Sequence, residues 1–156
     1  CQPSKLHLID PWEFQDYPGR VYSIEQKDLD QIYLDVIEKY KYNDTVEVHR
    51  EFSQEIKFPN EYFDWVYIDG NHSCETVMAD LERFWPFVKT GGILCGDDYG
   101  WNDPKSSGGP KKAVNDFASK MGINFLVVPG DQFIFFKGAP NDSIRELAQE
   151  HRRRMA

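Results

Sequence analysis

The sequence predicts an α/β fold with a doubly wound, mostly parallel sheet that ends in an antiparallel hairpin. Along the 156 residues, short apolar runs alternate with amphipathic helical patterns. This alternation is typical of parallel strands that are joined by right-handed crossover helices. The last two apolar runs are separated only by residues 129–132, Pro-Gly-Asp-Gln, which is too short for a crossover and therefore predicts a hairpin. The length suits one domain over residues 1–156 with a substantial core.

Six apolar runs predict the strands, because each is short and is bounded by turn residues or by charge. They cover residues 6–9, 46–49, 65–68, 93–95, 125–128 and 133–136.

Apolar residues at spacings of three and four predict the helices. The second helix is expected to begin at Ser73, a good N-cap residue, and to end at Thr90-Gly91-Gly92. A third helix follows Pro110, and a last one opens at Asn141 or Asp142 and ends in the arginines. The residues expected to face the sheet are Leu29, Ile32, Tyr33, Val36, Ile37 and Tyr40 in the first helix, Val77, Leu81, Phe84, Trp85 and Val88 in the second, and Ala113, Val114, Phe117 and Met121 in the third.

Composition argues against two classes of partner. The net charge is -8 and the dense basic run is confined to residues 151–154, so we expect no nucleic-acid partner. No apolar run approaches the roughly 20 residues of a membrane-spanning helix, so no membrane partner is expected either.

The three cysteines, Cys1, Cys74 and Cys95, form an odd set without the spacing of a metal site. We therefore expect no disulfide framework, a cytoplasmic location and no signal peptide. Cys74 and Cys95 are interpreted as small core residues.

Acidic residues stand where three predicted strands end. Asp10 follows LHLI, Asp69 follows WVYI, and Asp97-Asp98 follow ILCG. Ligands of open parallel sheets bind at the carboxyl ends of the strands, and carboxylates that converge need a cation or a shared proton. Mg²⁺ or a similar divalent ion suits such oxygen ligands. His72, just past Asp69, is a candidate general base. The competing interpretation is that these acids cap turns and that His72 only begins a helix.

Five segments carry a resemblance to a known family. The chain resembles the class I S-adenosylmethionine-dependent methyltransferases, specifically the methyltransferase family 24 group, which includes metal-dependent sugar O-methyltransferases. The resemblance implies a Rossmann-like fold, S-adenosylmethionine as the methyl donor and enzymatic methyl transfer. Its most specific part is the pairing of IDGNHS with DDY; the segments are KLHLIDPWE, VEVHREFSQE, YFDWVYIDGNHSCETVMADL, GGILCGDDY and KKAVNDF.

The resemblance also implies roles for individual residues. The ribose hydroxyls of the donor would bind Asp10, the adenine would lie beside Phe52 and Ser53, and Asp69 would border the donor. The metal set would be Asp69, Asp97 and Asp98, although many relatives carry His where this chain has Asp97. In the sugar-modifying branch His72 is similar to the proposed base, so Asp69 and His72 are the predicted catalytic pair. The 100–109 segment, GWNDPKSSGG, could close over the acceptor as a lid.

One part of the family pattern is absent. A first strand and a glycine-rich turn normally precede the LHLID-type strand and would lie between the strands that end at Asp10 and Asp69. Three alternatives follow: the chain is an N-terminally truncated fragment whose flanking strands pair directly; a partner chain supplies a strand; or LHLID is itself the first strand, with residues 21–25 as the second and Glu25 as the ribose acid. The family arrangement is preferred, and in either case the chain should bind the donor poorly.

The sequence therefore predicts a metal-assisted O-methyltransferase whose acceptor is a small hydroxylated molecule, a class that includes sugars. The alternative is a catalytically silent ligand-binding or assembly module, and a homodimer is left open.

Overall fold

The computed structural model describes residues 3–15, 24–101 and 108–155. Within these ranges the chain forms six β-strands and four α-helices, which are interleaved along the chain except that β3 directly follows β2 and β6 directly follows β5; this confirms the α/β class. Contacts within the chain divide it into two compact units, Cys1–Lys57 and Phe58–Ala156. The prediction of a single domain stays a prediction.

The first unit is built on a parallel pair of strands. β1 (Leu6–Ile9) pairs with β2 (Val46–His49), and α1 (Gln26–Tyr40) lies between them in the chain. Both strands have the predicted bounds. The register pairs the last residue of β1 with the last residue of β2, so the carboxyl ends of both strands lie at one edge.

The helix α1 buries a narrower stripe than its pattern predicts. It begins at a capping box in which the backbone amide of Glu25 donates to the Asp28 carboxylate at 2.8 Å. Ile32 and Ile37 are 44% and 37% exposed, so their predicted place on the sheet-facing side was wrong. An α-helix turns about 100° per residue, and only one row of side chains lies at the centre of its buried face. The half-buried residues of this row are Leu29, Tyr33, Val36 and Tyr40.

The second unit contains a mixed four-stranded sheet with the order β3-β4-β6-β5. The pair β3–β4 is parallel, whereas β6 runs antiparallel to both β4 and β5. The predicted hairpin is therefore confirmed, and its second strand lies beside β4. The strands are β3 (Phe63–Ile68), β4 (Val88–Gly96), β5 (Phe125–Val128) and β6 (Gln132–Phe136).

The helix α2 (Cys74–Phe84) begins as predicted, because Ser73 is its N-cap and the Ser73 side chain accepts from the amide of Thr76. Its predicted end at Thr90-Gly91-Gly92 was wrong. A short 3₁₀ turn, Trp85–Phe87, follows directly, and β4 already includes residues 90–92. Pro86 lacks the amide that would continue the helical hydrogen bonds, so the chain turns into the strand there.

Two further helices complete the second unit. α3 (Gly109–Met121) carries a proline in its first turn and buries Ala113, Val114 and Phe117 as predicted. Met121 is 42% exposed, so its predicted burial was wrong; it is the last helical residue before the left-handed Gly122. α4 (Asn141–Met155) begins at the predicted residue. Across the described ranges, no helix has the length and apolar character needed to cross a membrane.

The core of the second unit is aromatic and aliphatic. Cys74 and Cys95 are free thiols and are buried in it, which confirms their interpretation as core residues. The largest fully buried side chains are Phe117, Phe133, Phe135, Leu81, Leu94, Val88, Val114 and Pro110.

Each described strand of the two sheets pairs within its own unit: β1 pairs with β2, and β3 pairs with β4. Direct pairing of the strands that end at Asp10 and Asp69, and a strand supplied by a partner chain, stay predictions. In the alternative with a second strand at residues 21–25, the ribose acid would be Glu25, but Glu25 instead caps α1. The remainder of that segment, residues 21–23, lies outside the described residues.

Candidate metal and active site

The carboxyl ends of β3 and β4 place acidic residues side by side. Asp69 directly follows Ile68 at the end of β3, and Asp97 directly follows Gly96 at the end of β4. Ile68 and Gly96 are register partners, and the amide of Asp97 donates to the carbonyl of Ile68 at 3.1 Å. The sequence pattern of acids after apolar runs thus corresponds to one edge of the parallel pair.

Gly96 allows the strands to approach closely at this edge. A Cβ atom at residue 96 would lie 2.5 Å from the carbonyl oxygen of Ile68 and 2.5 Å from Cζ of Phe133. Neither neighbour can move easily, because one is backbone and the other is a buried ring. The glycine before the acidic pair is therefore required by packing, and it sets the position of the residues that follow.

Three side chains of this edge converge into a cluster that we call the second-unit cluster: Asp69, His72 and Asp98. One ligand atom from each lies within 4.8 Å of the other two. Nε2 of His72 is 2.6 Å from Oδ2 of Asp98. Two predicted metal ligands, Asp69 and Asp98, are thus brought together, and His72 stands beside them.

The Nε2 atom of His72 fits a cation. It is buried and, among the described residues, it has no partner in hydrogen-bond geometry, even though the carboxylate of Asp98 is so close. A buried nitrogen normally finds a hydrogen bond. A short approach without hydrogen-bond alignment is expected when both atoms point at a common position, as metal ligands do. The residues present therefore fit a divalent ion.

The turn that presents His72 is fixed by local hydrogen bonds. Asn71 Oδ1 accepts from the amide of Ser73 at 2.8 Å, and Oγ of Ser73 accepts from the amide of Thr76 at 3.1 Å. Both satisfy amides at the start of α2 that have no partner within the helix. His72 is consequently held at a rigid helix start, where its ring orientation depends on few torsions.

Trp101 covers the other side of the cluster and was not among the residues predicted for the site. Its ring stacks on His72 with centroids 5.2 Å apart and an interplanar angle of 24°, and its amide donates to the carbonyl of Asp98 at 2.9 Å. The only signal was an aromatic residue soon after DDY, inside a segment predicted as a lid. Most of that lid, residues 102–107, lies outside the described residues.

Asp98 has an unusual backbone conformation. Its φ is +56°, a left-handed value that non-glycine residues adopt rarely, although aspartate tolerates it better than most. The Asp98 amide donates to Oδ1 of Asp97 at 2.9 Å. This turn directs the Asp98 carboxylate towards His72, and the side chain of Asp97 stabilises the turn through this hydrogen bond.

Asp97 points to Tyr67 and lies outside the second-unit cluster. Burial raises the pKa of the Tyr67 hydroxyl, and the negative charges of Asp97 and Asp69 raise it further, with a hydrogen bond to Asp97 also contributing. The Tyr67 hydroxyl accepts from Nε2 of Gln132 at 2.9 Å. Within the described part of the chain, the metal-type grouping at this edge includes His72 and omits Asp97. A ligand role for Asp97 stays a prediction.

Three of the four predicted donor-binding residues, Asp10, Phe52 and Ser53, lie in the first unit, and the fourth, Asp69, belongs to the second-unit cluster. Asp10 follows β1, is exposed, and its amide donates to the carbonyl of His49 at 3.2 Å. Phe52 and Ser53, both half-buried, lie shortly after β2. Because β1 and β2 are parallel and level, Asp10 and the 52–53 pair follow the same edge of this sheet. Their roles in binding stay predictions.

The loop after Asp10 is held in a defined shape. Oδ1 of Asp10 accepts from the amide of Trp12 at 2.5 Å, and Trp12 is buried with a φ of +44°. The carbonyl of Trp12 accepts from Nε2 of Gln26 at 2.9 Å and from Nη2 of Arg50 at 3.3 Å. Asp10 therefore caps its own turn through one carboxylate oxygen, and a carboxylate has a second oxygen that can accept from a ligand.

Comparison with solved structures shows the fold. The O-methyltransferase NovP superposes with a TM-score of 0.61 at 15% identity, over 86% of this chain and 60% of that one. A protein from Corynebacterium glutamicum gives 0.55 at 15%, over 87% and 62%. CalS11, a TDP-rhamnose 3'-O-methyltransferase of calicheamicin biosynthesis, gives 0.54 at 15%, over 86% and 59%. The chain thus spans about three fifths of the length of these structures, and no curated protein sequence matches it.

The relationship to a sequence family is more direct. The profile of a methyltransferase domain, methyltransferase family 24, matches residues 1–99. This range includes β1 to β4 and all of the site residues named in the sequence, from Asp10 to Asp98. It covers well over half of the 156 residues, and the chain therefore belongs to methyltransferase family 24.

Proposed function

We propose that the chain is the major part of an S-adenosylmethionine-dependent O-methyltransferase that uses a divalent cation and acts on a small hydroxylated molecule of the sugar class. The observation that carries the proposal is the convergence of Asp69, His72 and Asp98 at the ends of β3 and β4. Family membership supports the methyl donor. The acceptor class is supported by the similarity to CalS11, whose substrate is a TDP-linked sugar.

The cation would be held by the carboxylates of Asp69 and Asp98 and by Nε2 of His72. An imidazole beside two carboxylates suits Mn²⁺ better than Mg²⁺, which prefers an all-oxygen shell. When bound, such an ion stabilises the deprotonated form of a hydroxyl that it contacts. The protein residues supply the remainder: Trp101 and the Asn71 turn keep His72 in place, and Asp97 supports the turn at Asp98.

A second role for His72 competes with the first. The sequence predicts a general base, and a base takes the acceptor proton through a ring nitrogen that is not occupied by a metal. In that case Asp98 would orient the ring through the 2.6 Å contact. The two roles differ in one measurable respect, since only the ligand role makes the metal affinity depend on His72.

For the donor, we propose that Asp10 accepts from the ribose hydroxyls and that Phe52 and Ser53 border the adenine. The hydrogen bonds of the 10–12 turn support this role of Asp10, because they hold its carboxylate in position before a ligand binds. The reaction would be an in-line transfer of the methyl group from the sulfonium to the acceptor oxygen, which requires close alignment of the two reacting atoms. The acceptor oxygen loses its proton and the donor leaves as the neutral thioether.

The test is methyl transfer from S-adenosylmethionine to a set of nucleoside-diphosphate sugars by the protein that carries this chain. We expect activity that chelator abolishes and Mn²⁺ or Mg²⁺ restores, and a loss of activity in Asp98→Asn. Activity that is indifferent to chelator and to Asp98→Asn would overturn the metal role. Calorimetry tests the donor, and absence of heat with both S-adenosylmethionine and its demethylated product would favour a silent binding or assembly module.

A further inference from the structure

A second group of metal-type side chains lies on the small sheet of the first unit. His7 belongs to β1, and Glu47 and His49 belong to β2. His7 is the register partner of Glu47, and His49 is two residues further along the strand. Side chains two residues apart on a strand point to the same face, so all three project from one face of the sheet. We call them the first-unit cluster.

The distances in this cluster are short. Nδ1 of His7 is 2.9 Å from Nε2 of His49. The carboxylate of Glu47 has one oxygen 3.7 Å from His49 Nε2 and the other 4.0 Å from His7 Nδ1. One ligand atom from each of the three residues lies within 4.8 Å of the others.

These distances can be compared with those around a bound zinc ion. Zinc binds imidazole nitrogen and carboxylate oxygen at about 2.0–2.2 Å in a tetrahedron, so neighbouring ligand atoms are roughly 3.3 Å apart. The two imidazole nitrogens are 2.9 Å apart, Oε1 of Glu47 is 3.7 Å from His49 Nε2, and one ligand atom of each residue lies within 4.8 Å of the others. Small side-chain rotations would therefore bring all three atoms to bonding distance of one ion without moving either strand.

Burial also suits a metal site. The His7 and His49 side chains are 6% and 15% exposed, whereas Glu47 is 48% exposed. The two largely buried imidazoles would hold an ion away from solvent, and the exposed carboxylate of Glu47 leaves a route by which the ion can enter.

The simpler interpretation is a polar cluster that satisfies itself. Nζ of Lys5 lies 3.0 Å from one oxygen of Glu47, and the two imidazoles form a hydrogen bond at 2.9 Å and stack with centroids 5.2 Å apart. These contacts do not exclude an ion. A carboxylate that binds through one oxygen can keep Lys5 at the other, and a change of tautomer in one ring frees both facing nitrogens without a net loss of protons.

We propose that His7, Glu47 and His49 form a zinc site that joins β1 to β2, separate from the second-unit cluster that the proposed function uses. A transition metal such as Zn²⁺ is favoured over Mg²⁺ because two of the three ligands are imidazoles. The site would have three protein ligands and an open position. It would also stabilise a small parallel sheet whose helix, α1, has no buried residue.

The experiment isolates this site by using the Asp98→Asn chain, in which the second-unit cluster has lost a ligand. Zinc titration of this chain by calorimetry, with cobalt absorption as a second readout, should show one ion in a tetrahedral environment. Adding Glu47→Gln or His49→Gln should weaken binding by at least the 10- to 100-fold that is typical even of outer-shell changes at metal sites, a rough lower bound. Glu51→Gln, an exposed acid just after β2, is the matched control and should bind as before.

Three outcomes would overturn the proposal. They are absence of zinc binding in the Asp98→Asn chain, unchanged binding after both Glu47→Gln and His49→Gln, and a cobalt spectrum without the strong bands of tetrahedral coordination. Circular dichroism of each variant distinguishes loss of the site from loss of the fold. Zinc should also raise the thermal midpoint of the Asp98→Asn chain and not that of its His49→Gln derivative, since a ligand that binds only the folded state stabilises it.

Discussion

Nε2 of His72 lies 2.6 Å from Oδ2 of Asp98, although the two residues come from different parts of the second unit. His72 precedes α2 by one turn residue, and Asp98 follows β4 by one residue. The contact therefore joins the start of a helix to the end of a strand. This is the position at which open parallel sheets bind their ligands.

The two neighbouring aspartates should differ in their effect on metal binding. We expect Asp98→Asn to weaken Mn²⁺ binding by roughly 10-fold or more, because Asp98 belongs to the second-unit cluster. Asp97→Asn should have a much smaller effect, because its oxygen can still accept from the amide of Asp98. Calorimetric titration with Mn²⁺ measures both. An equal loss in the two variants would show that Asp97 is a ligand after all.

His72→Gln separates the two roles of that residue. If Nε2 is a ligand, as its buried and unaligned state supports, the affinity for Mn²⁺ should fall along with activity. If His72 is instead the base, the affinity should be kept while the rate of methyl transfer falls. Titration and kinetics on the same preparation give both quantities, and Glu51→Gln serves as the unaffected control.

Gly96→Ala should destabilise the second unit. The added Cβ would lie 2.5 Å from the Ile68 carbonyl oxygen and from the Phe133 ring, and overpacking of this kind costs about 1–3 kcal/mol. Gly70→Ala is the matched control, because its Cβ would meet only Asp80 at 3.8 Å. Chemical denaturation of both variants gives the free energy of unfolding. Equal stabilities would contradict the close approach of β3, β4 and β6 at residue 96.

Ser73→Ala tests the start of α2. The Ser73 hydroxyl accepts from the amide of Thr76 at 3.1 Å, and loss of such an N-cap costs about 0.5–2 kcal/mol. Ser119→Ala, on the exposed side of α3, should change the free energy of unfolding by less. The comparison uses the same substitution in both helices, so a loss as large at Ser119 would show that the cap is not the cause.

Cys74 and Cys95 should react slowly with thiol reagents in the folded chain. Both are buried, and burial raises the pKa of each thiol, so the reactive thiolate fraction at pH 8 is below that of an exposed cysteine. The measurement is the reaction of a Cys1→Ser chain with a chromogenic disulfide, before and after denaturation. Ser119→Cys in the same background supplies an exposed thiol for comparison. If Cys74 and Cys95 in the folded chain reacted as fast as this exposed thiol, the result would contradict their burial.

The fold was largely predictable because strands and helices have different apolar periods. β1, β2 and β5 have the predicted bounds, and Ser73 caps α2. The end of α2 was not predictable from Gly91 and Gly92, because glycine pairs suit helix ends and bends within strands equally well. Here Pro86 had already ended the helix, and the glycines lie in β4.

The site was predictable in its position and less so in its membership. Acids after apolar runs identify a sheet edge, and Asp69 and Asp98 do meet there. Whether Asp97 or Asp98 faces His72 depends on one left-handed backbone angle, which the repeated residue type in Asp97-Asp98 cannot indicate. Trp101 was missed for a similar reason, because its stacking on His72 depends on the turn and not on a periodic pattern.

The left-handed backbone angle at Asp98 has opposite consequences for the stability of the fold and for the binding of a cation. A residue with a φ of +56° is one where glycine would relieve local strain. Asp98→Gly should consequently leave a chain that folds at least as well and binds Mn²⁺ worse. A gain in stability that comes with a loss of Mn²⁺ binding would show that Asp98 is needed for the site and not for the fold.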